Sequence, residues 1–261
     1  MGLFSTFTAS FKPGKRPDNR GVPTVIKNDT QFLQIWFDVS TVSSVSLNSG
    51  KITSIAGQGW ASTHPANASG AADRPTHSVA IQNGLNAATF DGTSDKLTIN
   101  PFTNFEVSGT PISGYTMFTA CKFNSTVNQR MTETNATGTS DMGFGINATG
   151  YYEYHIGGGT ATSGTLADTN WHVQSFVFDG TKADGLELKA WKDNVVMATT
   201  ETVAIGDSAI AGANTVVIGC TPSNTLFFNG IMGEIVFFTR ALTDGEVSSV
   251  NLYLMNKWGI T

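Results

Sequence analysis

Short apolar runs separated by polar, glycine-containing breaks set the rhythm of the chain from Gln31 to Thr239. FLQIWFDV (32–39), YTMFTACKF (115–123), YYEYHI (151–156), WHVQSFVFD (171–179), LELKAW (186–191), TVVIGC (215–220) and GEIVFF (233–238) are rich in β-branched and aromatic residues. Clusters of Gly, Asn, Ser, Thr and Asp part them, a punctuation that predicts an all-β protein. Leu186, Leu188 and Ala190 alternate with Glu187 and Lys189, as in a strand wet on one face. Asp193-Asn194 predicts a two-residue turn into Val195-Val196-Met197. Long loops are expected around 56–80 and 133–142. A helix is predicted at the C-terminus: Thr243 and Glu246 fit a capping box, Val247, Val250, Leu254 and Trp258 form one stripe, and Gly259 provides a stop.

The first thirty residues read differently. Pro13, Pro17 and Pro23, with Gly14 and Gly21, oppose regular structure from Lys12 to about Val25. Lys12, Lys15, Arg16, Arg20 and Lys27 face only Asp18 and Asp29, so this stretch carries a third of the chain's basic residues. Residues 1–30 are therefore expected to be an extended basic arm, and 31–261 the folded domain. Phe4, Phe7 and Phe11 precede the prolines at a spacing that suits a helix face or a strand equally. Two readings follow: the rings tuck against the protein's own core, or the arm orders on another subunit.

Composition narrows the classes. At 261 residues and 27.6 kDa the chain is large enough to bury a core without disulfide or metal staples. Charged residues are 13% of the chain, against about 25% in ordinary soluble domains. A net charge of −5 argues against a nucleic-acid partner, and no apolar run approaches the ~20 residues of a membrane span. No positive segment precedes an apolar core near Met1, so a secretory leader is not expected. Cys121 and Cys220 lie in strand-like runs, where a free thiol behaves as a small buried hydrophobe, although a disulfide between them stays open.

Recognisable catalytic chemistry is missing. His64, His77, His155 and His172 form no zincin pair, and no Cys-x-x-Cys, Gly-x-Ser-x-Gly or phosphate loop occurs. Glycosidases need two carboxylates, about 5–5.5 Å apart for retention or about 6.5–9.5 Å for inversion. Glu153, Glu187 and Glu234 each sit in a strand without an acidic partner at i+2 or i+4. A non-enzyme without a cofactor is expected. Calcium is a minor alternative, through Asp91-Gly92 with Asp95 or Asp179-Gly180 with Asp184-Gly185, sequences that are turn signals first.

The ordered set Ile35-Trp36-Phe37-Asp38, Arg74-Pro75-Thr76, Asn83-Gly84, Phe90-Asp91-Gly92-Thr93, Trp171-His172-Val173, Phe178-Asp179-Gly180-Thr181, Phe228-Asn229-Gly230 … Gly233-Glu234-Ile235 and Arg240-Ala241-Leu242-Thr243-Asp244-Gly245-Glu246 resembles the laminin-G-like, concanavalin A-like lectin/glucanase family. Ile52 and Ile55 depart from its usual valine and tryptophan-x-aspartate. The resemblance implies two antiparallel sheets in a jelly-roll sandwich packed about 10 Å apart. It implies core positions for Trp36, Trp171 and Phe228, turns at Gly180 and Gly230, and a local sheet bond for Glu234. It implies no single activity, because the sandwich hosts lectins, hydrolases and structural modules.

A sugar site would need an exposed aromatic platform with a few polar groups. Tyr152 and Tyr154, on one face of 151–156 beside Gly157-Gly158-Gly159, are the candidates, with a core role as the competing reading. Three functions remain. The first is a bacteriophage virion protein, a capsid decoration (cement) protein docked through Phe4, Phe7, Phe11, Lys12, Lys15, Arg16 and Arg20 onto the major capsid protein or neighbouring virion subunits. It would form a homo-oligomer, trimers suiting threefold positions. The second is a carbohydrate-binding adhesin or tail-fibre receptor-binding module for a host-surface glycan. The third is a glycoside hydrolase or lyase.

Overall fold

The structure, a computed structural model, describes residues 21–29, 31–58, 64–102, 106–107, 110–111, 114–135, 142–205 and 214–261. Its elements begin with α1 (Thr24–Asn28), β1 (Leu33–Asp38), β2 (Val45–Asn48), β3 (Lys51–Ile55), β4 (Ala66–Asn67), β5 (Thr76–Gln82), β6 (Leu85–Asp91) and β7 (Leu97–Phe102). After a small hairpin, β8 (Glu106–Val107) and β9 (Thr110–Pro111), come β10 (Gly114–Phe123), β11 (Gln129–Asn135), β12 (Met142–Ile146), β13 (Tyr151–Ile156), β14 (Gly159–Leu166) and β15 (Trp171–Asp179). The chain closes with β16 (Leu188–Lys192), β17 (Val195–Met197), β18 (Thr199–Val203), β19 (Asn214–Ile218), β20 (Asn229–Phe238) and α2 (Asp244–Trp258).

Every strand pairing is antiparallel, and two layers result. In the first sheet, β20 lies beside β10, and β15, β16 and β17 follow outward. The other edge of β20 is shared: its first half takes β6, with β5 beyond, and its second half takes β1. The second sheet runs β2, β3, β4, β7, β19, β11, β12, β13, β14, β18. Facing residues such as Phe37, Tyr115, Phe176 and Phe237 from one layer and Ile52, Leu97, Phe144 and Ile218 from the other form the inner core. The fold is the jelly-roll sandwich expected, and both cysteines are free and buried in it. The Asp193-Asn194 turn has positive φ at both residues, 50° and 63°, as its two-residue hairpin requires.

A second apolar layer covers the outside of the first sheet. Val247, Val250, Leu254 and Trp258 of α2 pack there on Phe118, Ala120, Val173 and Val236. Thr243 and Glu246 close the capping box, and Gly259 ends the helix at φ 64°. Gly233 lets α2 approach: a Cβ there would lie 2.5 Å from the Trp258 ring. Trp36 and Trp171 belong to this outer layer, half-buried, while Phe228 is in the inner core. Gly230 makes no turn. It sits within β20, where a Cβ would meet the Phe228 ring at 2.3 Å.

The described end of the expected 1–30 arm packs on the domain. Val22 and Ile26 are buried in the outer layer, and Asp29 pairs with Arg240 Nε at 2.6 Å. Pro23 stands just before α1, where its missing N–H costs nothing and its fixed φ suits helix entry. Among the described residues, packing on the first sheet therefore reaches back to Val22, before residue 31.

Candidate functional site

Strand alternation decides which residues of 151–156 meet solvent. Tyr152 and Tyr154 are fully buried. Tyr154 lies 5.7 Å from the Phe144 ring and 5.1 Å from Phe176, and Tyr152 stacks on Phe144 at 6.2 Å. Neither ring can serve as a sugar platform, which corrects the expectation. Their inward side was the apolar one because Phe144 and Phe176 already line it. Burial raises both phenols well above their ordinary range.

The outward residues Tyr151, Glu153 and His155 belong to a polar strip across the second sheet. Arg130, at a bulge in β11, organises it. Its Nη2 meets Glu153 and approaches His155 Nε2 at 2.6 Å, and its Nε lies 3.2 Å from Glu133 Oε2. His155 Nε2 also stands 3.0 Å from Glu153 Oε2. Burial alone would raise the Glu153 carboxyl, but His155 and Arg130 hold it below the ordinary value.

β12 makes this arrangement possible, since Phe144 points inward and Gly143 and Gly145 share the outer face. A Cβ at Gly145 would fall 2.1 Å from the Gln129 carbonyl oxygen and 3.0 Å from Arg130 Cα; one at Gly143 would press on Glu133 and His155 at 3.2 Å. Gly145 is required by space, and Gly143 leaves its neighbours only a tight fit. Across β13–β14, Glu153 pairs with Thr162 and His155 with Thr160, and Thr162 pairs with Thr200 on β18. Both helices lie on the other sheet. The strip thus holds a buried guanidinium paired with two carboxylates and an imidazole, and shows solvent the partly exposed edges of Glu153, His155, Thr160 and Thr162 beside the half-buried Tyr151 ring.

Sequence reasoning missed Arg130 and Glu133, which lie about twenty residues from β13 and join it only through a glycine-bearing strand. The docking candidates Phe4, Phe7, Phe11, Lys12, Lys15, Arg16 and Arg20 lie outside the described residues. The two loops considered for calcium are self-satisfied turns. Asp91 Oδ1 accepts N–H from Thr93, Ser94 and Asp95 at 2.8–3.0 Å, and Oδ2 accepts both neighbouring hydroxyls. Asp179 likewise takes Thr181 through N–H and hydroxyl. Burial and the neighbouring Asp91 charge raise Asp95 to about 6.

Glu234 bonds within the sheet, to Trp36 on the neighbouring β1, and also beyond it. It receives Trp36 Nε1 at 2.7 Å, Lys257 Nζ at 2.6 Å and Trp258 Nε1 at 3.2 Å, tying the first sheet to α2. Lys257 reaches Asp38 as well, at 2.8 Å. This cluster is buried, and its role is structural.

No family model and no curated protein matches the chain. Solved structures do. Trypanosoma rangeli sialidase in complex with sialic acid superposes with a TM-score of 0.55 at 11% identity, over 86% of this chain and 33% of that one. The binding domain of botulinum neurotoxin serotype D gives 0.53 at 10% identity, over 85% and 51%. Domain 4 of AbnA, an extracellular arabinanase from Geobacillus stearothermophilus, in complex with arabinotriose, gives 0.51 at 13% identity, over 84% and 98%. The chain spans about a third of the sialidase. At these identities the likeness is one of fold, the concanavalin A-like jelly roll. Among the described residues no helix is long and apolar enough to cross a membrane.

Proposed function

We propose that this chain is a carbohydrate-binding sandwich that acts without catalysis, an adhesin-like or receptor-binding module for a surface glycan. The observation that carries the reading is the Arg130-centred strip with Tyr151. Arg130, itself buried, fixes the partly exposed Glu153 and His155, which with Thr160 and Thr162 would meet the hydroxyls of an extended sugar chain, while the Tyr151 ring would meet its apolar face. The arabinanase domain in complex with arabinotriose, superposed over nearly its whole length, supports it.

Carboxylate placement favours binding over hydrolysis. Asp38 and Glu234 are buried on Lys257, and Glu153 and Glu133 are engaged by Arg130. Glu187 is sealed from substrate at 1% exposure. The finer reading, a virion decoration protein, rests on the basic, Pro-broken 1–30 arm set against the anionic sandwich in the sequence. The test is a glycan array probed with the full chain, followed by polysaccharide turnover assays. Saturable binding without cleavage is expected. Binding to no glycan, or cleavage abolished by one carboxylate replacement, overturns the proposal.

A further inference from the structure

Arg130 Nη2 lies 2.6 Å from His155 Nε2, and both nitrogens converge on Glu153 Oε2, the imidazole at 3.0 Å. A guanidinium can only donate, so the imidazole nitrogen facing it must accept through its lone pair. The contact therefore requires a neutral His155 that carries its proton on Nδ1. A protonated ring would aim a second N–H at Arg130, and two cations cannot keep that distance. One proton thus decides which neighbour His155 keeps.

Arg130 is the fixed member of the pair. Its side chain is 6% exposed, Glu153 holds its Nη2, and Glu133 Oε2 lies 3.2 Å from its Nε. The His155 side chain is 20% exposed and has solvent to move into. Among the described residues, the charged groups facing the ring are Arg130 and Glu133 of β11 and Glu153 of its own strand. The positions in register with it are Gly143 on β12, Thr160 on β14 and, beyond Thr160, Val203 on β18, none of them titratable. Despite its burial, Glu153 is held below its ordinary value by His155 and Arg130, so it stays a carboxylate while an imidazole titrates. Protonated His155 therefore keeps the bond to Glu153 and gives up the one to Arg130. We propose that His155 is a pH gate on this face: neutral, it sits on Arg130 and completes the sugar-binding strip; protonated, it leaves Arg130 and the sugar is released. The release rests on the glycan reading above, whereas the exchange of partners at His155 rests on the geometry of the three side chains.

The test follows the imidazole nitrogens of the full, nitrogen-15-labelled chain by NMR from about pH 8 to about pH 5, the window in which histidine ordinarily titrates. At the alkaline end His155 should carry its proton on Nδ1 and leave Nε2 bare; on acidification Nε2 gains a proton and the Arg130 guanidinium signals shift in the same step. The tightest-binding oligosaccharide of the glycan array is titrated in parallel. Its Kd should rise at least about tenfold across the window, as a binding-competent fraction of about one tenth requires. His155→Gln offers Arg130 an amide acceptor that takes no proton, so its Kd should not change with pH. A proton on Nε2 at the alkaline end overturns the proposal. So does a wild-type Kd that stays level across the window, which leaves the glycan reading standing, or the wild-type pH response persisting in His155→Gln. Binding of no sugar at the alkaline end overturns the glycan reading instead, and the tautomer alone then upholds or sinks the exchange at His155.

Discussion

Lys257 Nζ stands 2.6 Å from Glu234 Oε2, and both side chains are shut away from solvent. The pair joins the last turn of α2 to the middle of β20. Asp38 at the end of β1 makes the second contact to the same ammonium, at 2.8 Å. Burial disfavours the charged lysine, but the two carboxylates outweigh it and hold Lys257 charged. Replacing Lys257 with Met leaves both carboxylates uncompensated, so a loss of about 3–5 kcal/mol is expected. Urea unfolding of Lys257→Met measures it; a loss below about 1 kcal/mol would place this cluster with surface ion pairs.

His172 gives the fold a pH dependence of defined sign. Its Nδ1 lies 2.6 Å from Asp193 and its Nε2 2.8 Å from Asp168, so a carboxylate faces each ring nitrogen. Burial opposes the charge, yet Asp193 and Asp168 prevail and the imidazole is raised above its ordinary 6.5. The contribution is complete below the unfolded value and is lost as pH rises through the higher folded one. Melting temperatures of wild type and His172→Gln should therefore converge as pH climbs past neutrality. A gap that widens instead contradicts the assignment.

Tyr154 separates core from site. Its hydroxyl is buried without a hydrogen-bond partner. Tyr154→Phe should thus be neutral or stabilising by up to ~1 kcal/mol, whereas Tyr154→Ala should cost about 3–5 kcal/mol through the cavity it opens. Glycan binding should survive in Tyr154→Phe. Weaker binding in that variant would return the hydroxyl to the site.

The N-terminal boundary is equally testable. Removing residues 1–20 keeps Val22, Ile26 and the Asp29–Arg240 ion pair and should lower melting less than removing 1–30. Removing 1–30 also takes away Val22, Ile26 and the Asp29–Arg240 ion pair. Burial of each apolar side chain is worth about 1.5–3 kcal/mol, so the longer truncation should melt several degrees lower. Equal melting of the two truncations would show that α1 adds nothing to the fold.

The apolar runs were legible because their β-branched and aromatic residues stand out, and all seven became strands. α2 was legible from cap to stop, because capping chemistry is local. β12 and β14 were hidden: Met142-Gly143-Phe144-Gly145 and Gly159-Thr160-Ala161-Thr162 carry side chains too small to announce a strand. The polar strip was hidden for the same reason, because glycines give no signal of the guanidinium that lies over them. The face of 151–156 could not be read from alternation alone, which offers two faces and leaves the choice to neighbours in the fold.

The most direct measurement of the central claim is a two-dimensional NMR titration of the full chain with the best oligosaccharide from the array. Saturable shifts are predicted at Tyr151, Glu153, His155, Thr160 and Thr162, and they should vanish in the Tyr151→Ala, His155→Ala double variant while its fold is retained. Shifts confined to other surfaces, or no saturable shift with any glycan, would contradict a sugar site on this sheet face.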